Sequence, residues 1–411
     1  MILLVAYGGG HVAALAPVAA TLQADGRPFV FLALTTAFAH LQQLSIPAIG
    51  FKDLPGARDD DVLAYGEHLA SELPASSVVS REETVAYLGL SFRDLVLEHG
   101  ESTAWELYRT RGRQAFLPVR TLRAAIEQLR PSLVLATNSP RAERAAIMAA
   151  GQCGVPAVCH VDLFGTQEIQ WIGQPGYGER VCVLNKEVKR QFVDFGRGDD
   201  EVIVTGNPAF DELRDAAVIA EGEALRAARG WSDERITVLW ASSVEPERHP
   251  FTGQAGDPSL TIRIEAYLRQ LVAGSDRYRL VVRYHPSEHT RFVEQPNVYF
   301  SPTTESLGAL LHAVDIVVVT ASTVGLQASL AGRPVIAGFG SVFEADAPYG
   351  RMGIATGLAV IDSIAATLEQ LSGRVVRGQH GDVSSGTAAS ATRRVLAVVD
   401  DVLLQKGGGP Q

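Results

Sequence analysis

Residues 1–22 read MILLVAYGGGHVAALAPVAATL, and this stretch decides the fold class. The apolar run at 2–7 stops at Gly8-Gly9-Gly10. From His11 to Leu22 the period changes, and Leu15, Val18, Ala19 and Leu22 fall on one helical face. Further apolar runs follow at 28–34 and 46–51. This is strand, helix, strand at the spacing of a βαβ unit. Strands that are apolar throughout belong in a parallel sheet covered on both faces.

Outward from that stretch, residues 53–115 break the rhythm. They hold Asp59-Asp60-Asp61, several glutamates and weak helical periods, and read as a mostly helical insertion. The alternation resumes with strands expected at 133–137, 155–161, 180–184 and 201–205, and helices at 116–130, 141–151 and 186–195. A helical stretch at 211–230 precedes a second α/β series. Its strands are expected at 236–241, 279–284, 297–300, 315–319, 334–338 and 358–361, and its helices at 260–273, 305–313, 323–331 and 363–371. Residues 374–386 are Gly/Ser-rich and read as a loop, 387–404 as a closing helix, and the Gly-Gly-Gly-Pro-Gln end as a disordered tail. The layout is one doubly wound domain at 1–205, a second at 206–385, and a final helix at 386–404 crossing back to the first. Two such domains imply a ligand in an interdomain cleft, at the carboxyl ends of the strands.

Composition agrees. The 411 residues are 46% hydrophobic and 20% charged, enough for two or three domains with large cores. A net charge of −10 argues against nonspecific nucleic-acid binding. Cys153, Cys159 and Cys182 sit in apolar runs without paired metal-ligand spacing, which speaks against a disulfide framework or a zinc site and fits a reducing cytoplasm. The opening residues lack a signal-peptide pattern, and no apolar run reaches the ~20 residues of a membrane span. A cytoplasmic protein is expected, peripheral to the inner face of a membrane at most.

Chemistry is sought just after the strands. Gly9 and Gly10 let the backbone turn sharply, and the following helix offers free N–H groups to an anion. His11 either serves as a general base on an acceptor hydroxyl or only hydrogen-bonds its loop. Asp162 and Glu168, after another strand, are the reserve candidates for that base. His285-Pro286 ends a strand and could donate to a phosphate. Ser322 and Thr323 begin a helix, where they cap it or hold a phosphate. Gly206-Asn207-Pro208 is an interdomain turn or a donor contact, and Ser242 and Ser243 end the first strand of the second series. Asp59-Asp60-Asp61 reads as a solvated loop, and no metal site is expected. Arg109, Arg111, Arg113, Arg120, Arg123 and Arg130 form either a solvated face or a surface for an anionic acceptor or phospholipid. No G-x-S-x-G, G-K-[ST] or H-E-x-x-H motif occurs.

Together these motifs resemble the GT-B superfamily of nucleotide-sugar glycosyltransferases. Residues 8–19 are similar to the opening of the family that includes the peptidoglycan GlcNAc transferase. Val204-Thr205-Gly206-Asn207-Pro208 is similar to a segment of UDP-GlcNAc 2-epimerases, lipid A disaccharide synthase and CDP-glycerol glycerophosphotransferases. His285-Pro286 with Ser322-Thr323 resembles the donor-phosphate motifs of bacterial sialyltransferases, Kdo transferases and glycerophosphotransferases. The resemblance implies two Rossmann-like domains, an acceptor-binding first domain and a donor-binding second one. It implies an inverting, metal-independent glycosyltransferase that needs no cofactor and takes a UDP- or CMP/CDP-type sugar to a glycan, lipid-linked or protein hydroxyl. Inversion follows from the absence of the paired-glutamate signature of retaining relatives. His11, Asp162 and Glu168 would supply the catalytic groups. Gly9, Gly10, Gly206, Asn207, Ser242, Ser243, His285, Pro286, Ser322 and Thr323 would contact the donor. The alternatives are a nucleotide-sugar 2-epimerase, a glycerophosphate-type transferase, or a catalytically silent binding subunit of the same fold.

Overall fold

The computed structural model describes residues 1–74, 76–250, 252–355, 358–373 and 389–407. The loop expected at 374–386 and the tail beyond 407 lie outside the described residues. The chain divides into two compact units, Met1–Ala209 with Ala389–Gln411, and Phe210–Ala388.

Unit 1 is built on a six-stranded parallel sheet. Its strands are β1 (Ile2–Ala6), β2 (Phe29–Ala33), β3 (Leu133–Ala136), β4 (Ala157–His160), β5 (Arg180–Val183) and β6 (Val202–Val204), in the order β2-β1-β3-β4-β5-β6. Leu4 of β1 pairs with Phe31 on one side and Leu135 on the other. Every residue of β1, β3 and β4 is buried, because helices cover both faces. The helix Gly10–Ala24 sends Val12, Leu15, Val18 and Leu22 into one core cluster with Leu4, Phe31 and Leu135. The final helix, Ala391–Gly407, fills the same cluster with Val395, Val399 and Val402. It also ties the end of β6, since Arg394 Nε donates to the Thr205 carbonyl at 2.7 Å.

Between β2 and β3 the chain is helical: Asp60–Ser71, Arg81–His99, Glu101–Arg111 and Val119–Leu129. The first two pack at glycine contacts. A Cβ on Gly66 would overlap the Val85 carbonyl oxygen, and one on Gly89 the Val62 carbonyl oxygen. Phe92 and Trp105, 4.3 Å apart, extend this subcore. Asp59 and Asp61 face Arg93 at 2.7 and 3.7 Å, so the acidic run serves an ion pair.

One expected strand is corrected. Residues 46–51 form no strand; Ile49 makes a single bridge to Leu32, and Phe51–Asp53 is a 3-10 turn. Pro47 has no N–H to give a ladder, and Gly50 is already held by the Asp53 carboxylate. The helices Ala37–Gln43 and Ile169–Ile172 had no legible period at their lengths. The stretch expected to be helical at 211–230 holds the end of a 3-10 segment, Pro208–Arg214, and then the helix Ala216–Ala228.

Unit 2 repeats the architecture. Its strands are β7 (Ile236–Ala241), β8 (Tyr278–Arg283), β9 (Val298–Phe300), β10 (Ile316–Val318), β11 (Val335–Gly338) and β12 (Leu358–Ala359). They are parallel, in the order β12-β11-β10-β7-β8-β9. Trp240, Leu280, Val282 and Val318 centre its core. In each sheet the winding reverses once, at β1/β3 in unit 1 and at β7/β10 in unit 2. Such switch points open a crevice at the strand ends.

The glycine contacts make a signed prediction. In an open helix Gly→Ala stabilises by about 1 kcal/mol. Here Gly66→Ala and Gly89→Ala are each expected to destabilise by roughly 1–3 kcal/mol through overpacking, read as a lower urea midpoint. An unchanged or higher midpoint would show that the two helices can part freely.

Candidate functional site

In unit 1 the site grows from the ends of β1, β3, β4 and β6. After β1, Gly9 turns with φ 69° and leaves open space where a side chain would stand. Gly10 starts the helix so close to β4 that a Cβ would lie 3.1 Å from Asp162 Oδ2. This brings His11 between two carboxylates, with Nδ1 3.8 Å from Glu143 Oε1 and 4.0 Å from Asp162 Oδ2. The His11 side chain is 25% exposed, that of Asp162 18% and that of Glu143 not at all.

Glu143, in the first turn of the helix Ala142–Gln152, organises the cluster. Its Oε1 accepts from the Tyr7 backbone N–H at 2.8 Å and from the Thr137 hydroxyl at 2.5 Å. Its Oε2 has no hydrogen-bond partner among the described residues. The carboxylate thus joins the ends of β1 and β3 across the switch point. Sequence reasoning missed it. The available signal was an acidic residue just past a strand end, in an otherwise alanine-rich helix.

Asp162 is positioned through its backbone. Its N–H donates to Asn138 Oδ1 at 3.1 Å, and its carbonyl accepts from Asn207 Nδ2. Asn207 Oδ1 accepts the Ala209 N–H at 2.9 Å, so this side chain ties β4 to β6. Gly206, at φ 77°, offers its carbonyl to His160 Nε2 at 3.3 Å and to the Thr205 hydroxyl at 3.0 Å. Glu168 lies within electrostatic reach of the cluster; burial raises its pKa above the usual carboxylate range, and the Asp162 charge adds to the shift. His160 is fully buried, which pushes its imidazole down to about 4. It is therefore neutral near pH 7, with Nε2–H donated to Gly206.

In unit 2 the cluster lies at the ends of β7, β8, β10 and β11. Glu288 accepts the Ser242 hydroxyl at 2.9 Å and the His285 N–H at 2.7 Å. His285 and Pro286 are exposed. His285 Nδ1 accepts the Ser287 N–H at 3.1 Å, so the neutral ring carries its proton on Nε2, which is free to donate outward. Ser243 and Thr320 share a hydrogen bond of 2.6 Å across β7 and β10. Ser322 caps the helix Thr323–Leu330 by accepting the Val324 N–H at 3.3 Å, and Thr323 is exposed at that N-terminus.

A cavity of about 740 Å³ adjoins this helix start, lined by Gly338, Gly340, Ser341, Tyr349 and Arg351 among others. Tyr349 donates its hydroxyl to the Ser322 carbonyl at 2.5 Å. Buried Glu245, three residues past Ser242, accepts the Ser341 hydroxyl at 2.8 Å and the Val342 N–H at 2.6 Å. Arg351 is the one guanidinium of the lining and pairs with no carboxylate among the described residues. Glu245, Tyr349 and Arg351 were also missed, because loop packing brings them in and local spacing does not.

The structure thus gathers Gly9, Gly10, Gly206 and Asn207 with His11, Asp162 and Glu168 in unit 1. Ser242, Ser243, His285, Pro286, Ser322 and Thr323 gather in unit 2. Among the described residues no group of three His, Cys, Asp or Glu side chains is placed to hold a metal ion. Arg109, Arg111, Arg113, Arg120, Arg123 and Arg130 are all exposed, and Arg123 lies 3.6 Å from Glu127. No helix of the described residues is long and apolar enough to cross a membrane.

No family model matches the chain, and no curated protein matches it in sequence. Solved structures do. A UDP-GlcNAc 2-epimerase from Neisseria meningitidis, bound to UDP-GlcNAc, superposes with a TM-score of 0.56 at 13% identity, over 98% of this chain and 100% of that one. A putative UDP-N-acetylglucosamine 2-epimerase from Listeria monocytogenes gives 0.58 at 12%, over 98% and 96%. Acinetobacter baumannii MurG gives 0.53 at 12%, over 97% and 99%. The fold is GT-B. Within GT-B, both of the clusters described above sit at the winding reversals of their sheets.

The buried His160 sets a pH dependence. Its value of about 4 in the fold lies below the 6.5 of the unfolded chain, so the unfolded chain binds the extra proton between them. This contribution is fully present above pH 6.5 and is lost as pH falls towards 4, by up to about 3 kcal/mol. His160→Gln keeps an amide donor for Gly206 but cannot titrate. Urea melts at pH 7 and pH 5 are expected to differ less for the variant than for the wild type. Equal differences would remove His160 as the cause.

Proposed function

We propose that the chain is an inverting, metal-independent glycosyltransferase, with the acceptor on unit 1 and a nucleotide sugar on unit 2. The observation that carries this reading is His11, partly exposed, beside the buried Glu143 and the half-open Asp162. His11 Nδ1 lies near both carboxylates without a hydrogen bond to either, and Nε2 is left to take the proton of an acceptor hydroxyl. The imidazolium so formed is stabilised by both negative charges. Glu143 touches no reacting atom in this scheme and acts as a positioning residue.

The donor half supplies what a departing nucleotide needs. Negative charge grows on its phosphate as the sugar leaves. His285 Nε2–H, the Arg351 guanidinium and the N-terminus capped by Ser322 offer donors and positive potential for it. Ser242 and Ser243 are held at the same strand ends. Both UDP-type and CMP/CDP-type sugars remain donors to compare, with UDP-GlcNAc first because a structural neighbour binds it.

A second reading has an observation of its own. Three carboxylates, Glu143, Asp162 and Glu168, gather about His11. A nucleotide-sugar 2-epimerase needs such a set to move a proton on the sugar carbon and assist nucleotide departure.

The test is a thermal-shift and turnover panel with UDP, CMP, CDP and GDP sugars, without added metal. Stabilisation by one nucleotide class with slow donor hydrolysis is expected. His11→Ala should keep that shift and lose turnover by about 10²–10⁴-fold, the usual worth of a general base. His285→Ala should weaken the shift. Wild-type turnover in His11→Ala would refute the base assignment, and a C2-epimerised sugar among the products would decide for the second reading.

A further inference from the structure

The helical insertion of unit 1 lines a half-open chamber of about 430 Å³ that no step above uses. Its walls come from the helices Asp60–Ser71 and Arg81–His99, from Leu73, Pro74, Ser76 and Val79 between them, and from Thr35 past the end of β2. Leu73, Val79, Tyr87 and Leu88 make most of it apolar. The volume suits a compact small molecule, within the ~300–1,000 Å³ range of such sites.

Two contacts link the chamber to the loop that precedes His11. Tyr87 lines it and bonds through its hydroxyl to that of Tyr7 at 2.9 Å. Tyr7 in turn gives its N–H to Glu143. Gly8 packs so tightly on Thr36 that a Cβ there would overlap the Thr36 hydroxyl, and Thr36 follows the chamber residue Thr35. Tyr87 is fixed edge-on by Phe51 at 5.2 Å and Phe116 at 6.1 Å, which makes a rigid wall.

Its charge is lopsided. Of the two guanidiniums in the lining, Arg81 is paired with Glu67, whereas Arg113 has no carboxylate partner among the described residues. The Glu83 carboxylate is spent on the Phe51 and Lys52 N–H groups, at 2.8 and 3.1 Å. The chamber therefore combines apolar walls with one uncommitted cation.

We propose that this chamber holds the body of the acceptor, a hydroxyl-bearing small molecule with a flat apolar frame and one anionic substituent directed to Arg113. This rests on the transferase reading and names its acceptor class.

The probe is anilinonaphthalene sulfonate, an aromatic frame with one anionic group, compared with uncharged phenylnaphthylamine. The wild type is expected to bind one dye per chain. Thr84→Trp and Ser71→Trp, which fill the chamber from opposite helices, should abolish that binding while leaving the melting temperature near wild type. Arg113→Ala should weaken the sulfonate by about tenfold and leave the uncharged dye unchanged. Dye binding that survives both tryptophan variants, or a chamber that takes oleate and excludes the dye, would overturn the proposal. The readout uses no donor. A chain that binds the dye but turns over no nucleotide sugar would lose the transferase reading alone. One that turns over donor without binding the dye would lose the chamber alone.

Discussion

A single buried carboxylate, Glu143, sets the geometry on which the unit 1 site depends. Burying an ionised carboxylate costs several kcal/mol unless donors surround it. Glu143 meets that cost with the Tyr7 N–H and the Thr137 hydroxyl, drawn from the ends of two neighbouring strands. The interaction therefore fixes the loop after β1, and with it the direction in which His11 leaves the helix start. Gly10 is needed for the same reason, since any side chain there would press on Asp162.

Unit 2 solves the same problem by the same means. Glu245 receives Val342 N–H and the Ser341 hydroxyl, and Glu288 receives His285 N–H and the Ser242 hydroxyl. Each carboxylate accepts one backbone N–H and one hydroxyl, and each joins segments distant from one another at a strand end. Loops beyond a parallel sheet have no ladder to hold them, so side-chain acceptors take over that task. In unit 1 the insertion uses Glu83 likewise, on Phe51 and Lys52.

This explains what was legible in the sequence. Strands of a parallel sheet covered on both faces are apolar runs, so all twelve could be read directly, and the switch from their period to that of the helices marked the βαβ units. The run at 46–51 misled because it is equally apolar, while Pro47 and the Asp53 bond to Gly50 leave it a single bridge. His11, Asp162, His285 and Ser322 were legible because each stands just past a strand. Glu143, Glu245, Tyr349 and Arg351 were not. Their roles come from contacts over long sequence separations, such as the 136 residues between Tyr7 and Glu143, and no local pattern records those.

The same bookkeeping of lone pairs separates holding groups from reacting ones. Glu143 Oε1 already accepts two hydrogen bonds, and its buried Oε2 meets no donor among the described residues. It can stabilise a charge on His11 but cannot meet a substrate. Asn207 is spent in the same way, with both ends of its amide bonded inside unit 1. Asp162 differs. Its backbone is clamped on both sides, while its carboxylate stays partly exposed and 4.0 Å from His11. A group whose main chain is fixed and whose oxygens are free is arranged to meet something that is not part of the chain. By that criterion His11 and Asp162 are the pair of unit 1 with atoms left for a ligand, and Glu143 is the reason they stay where they are.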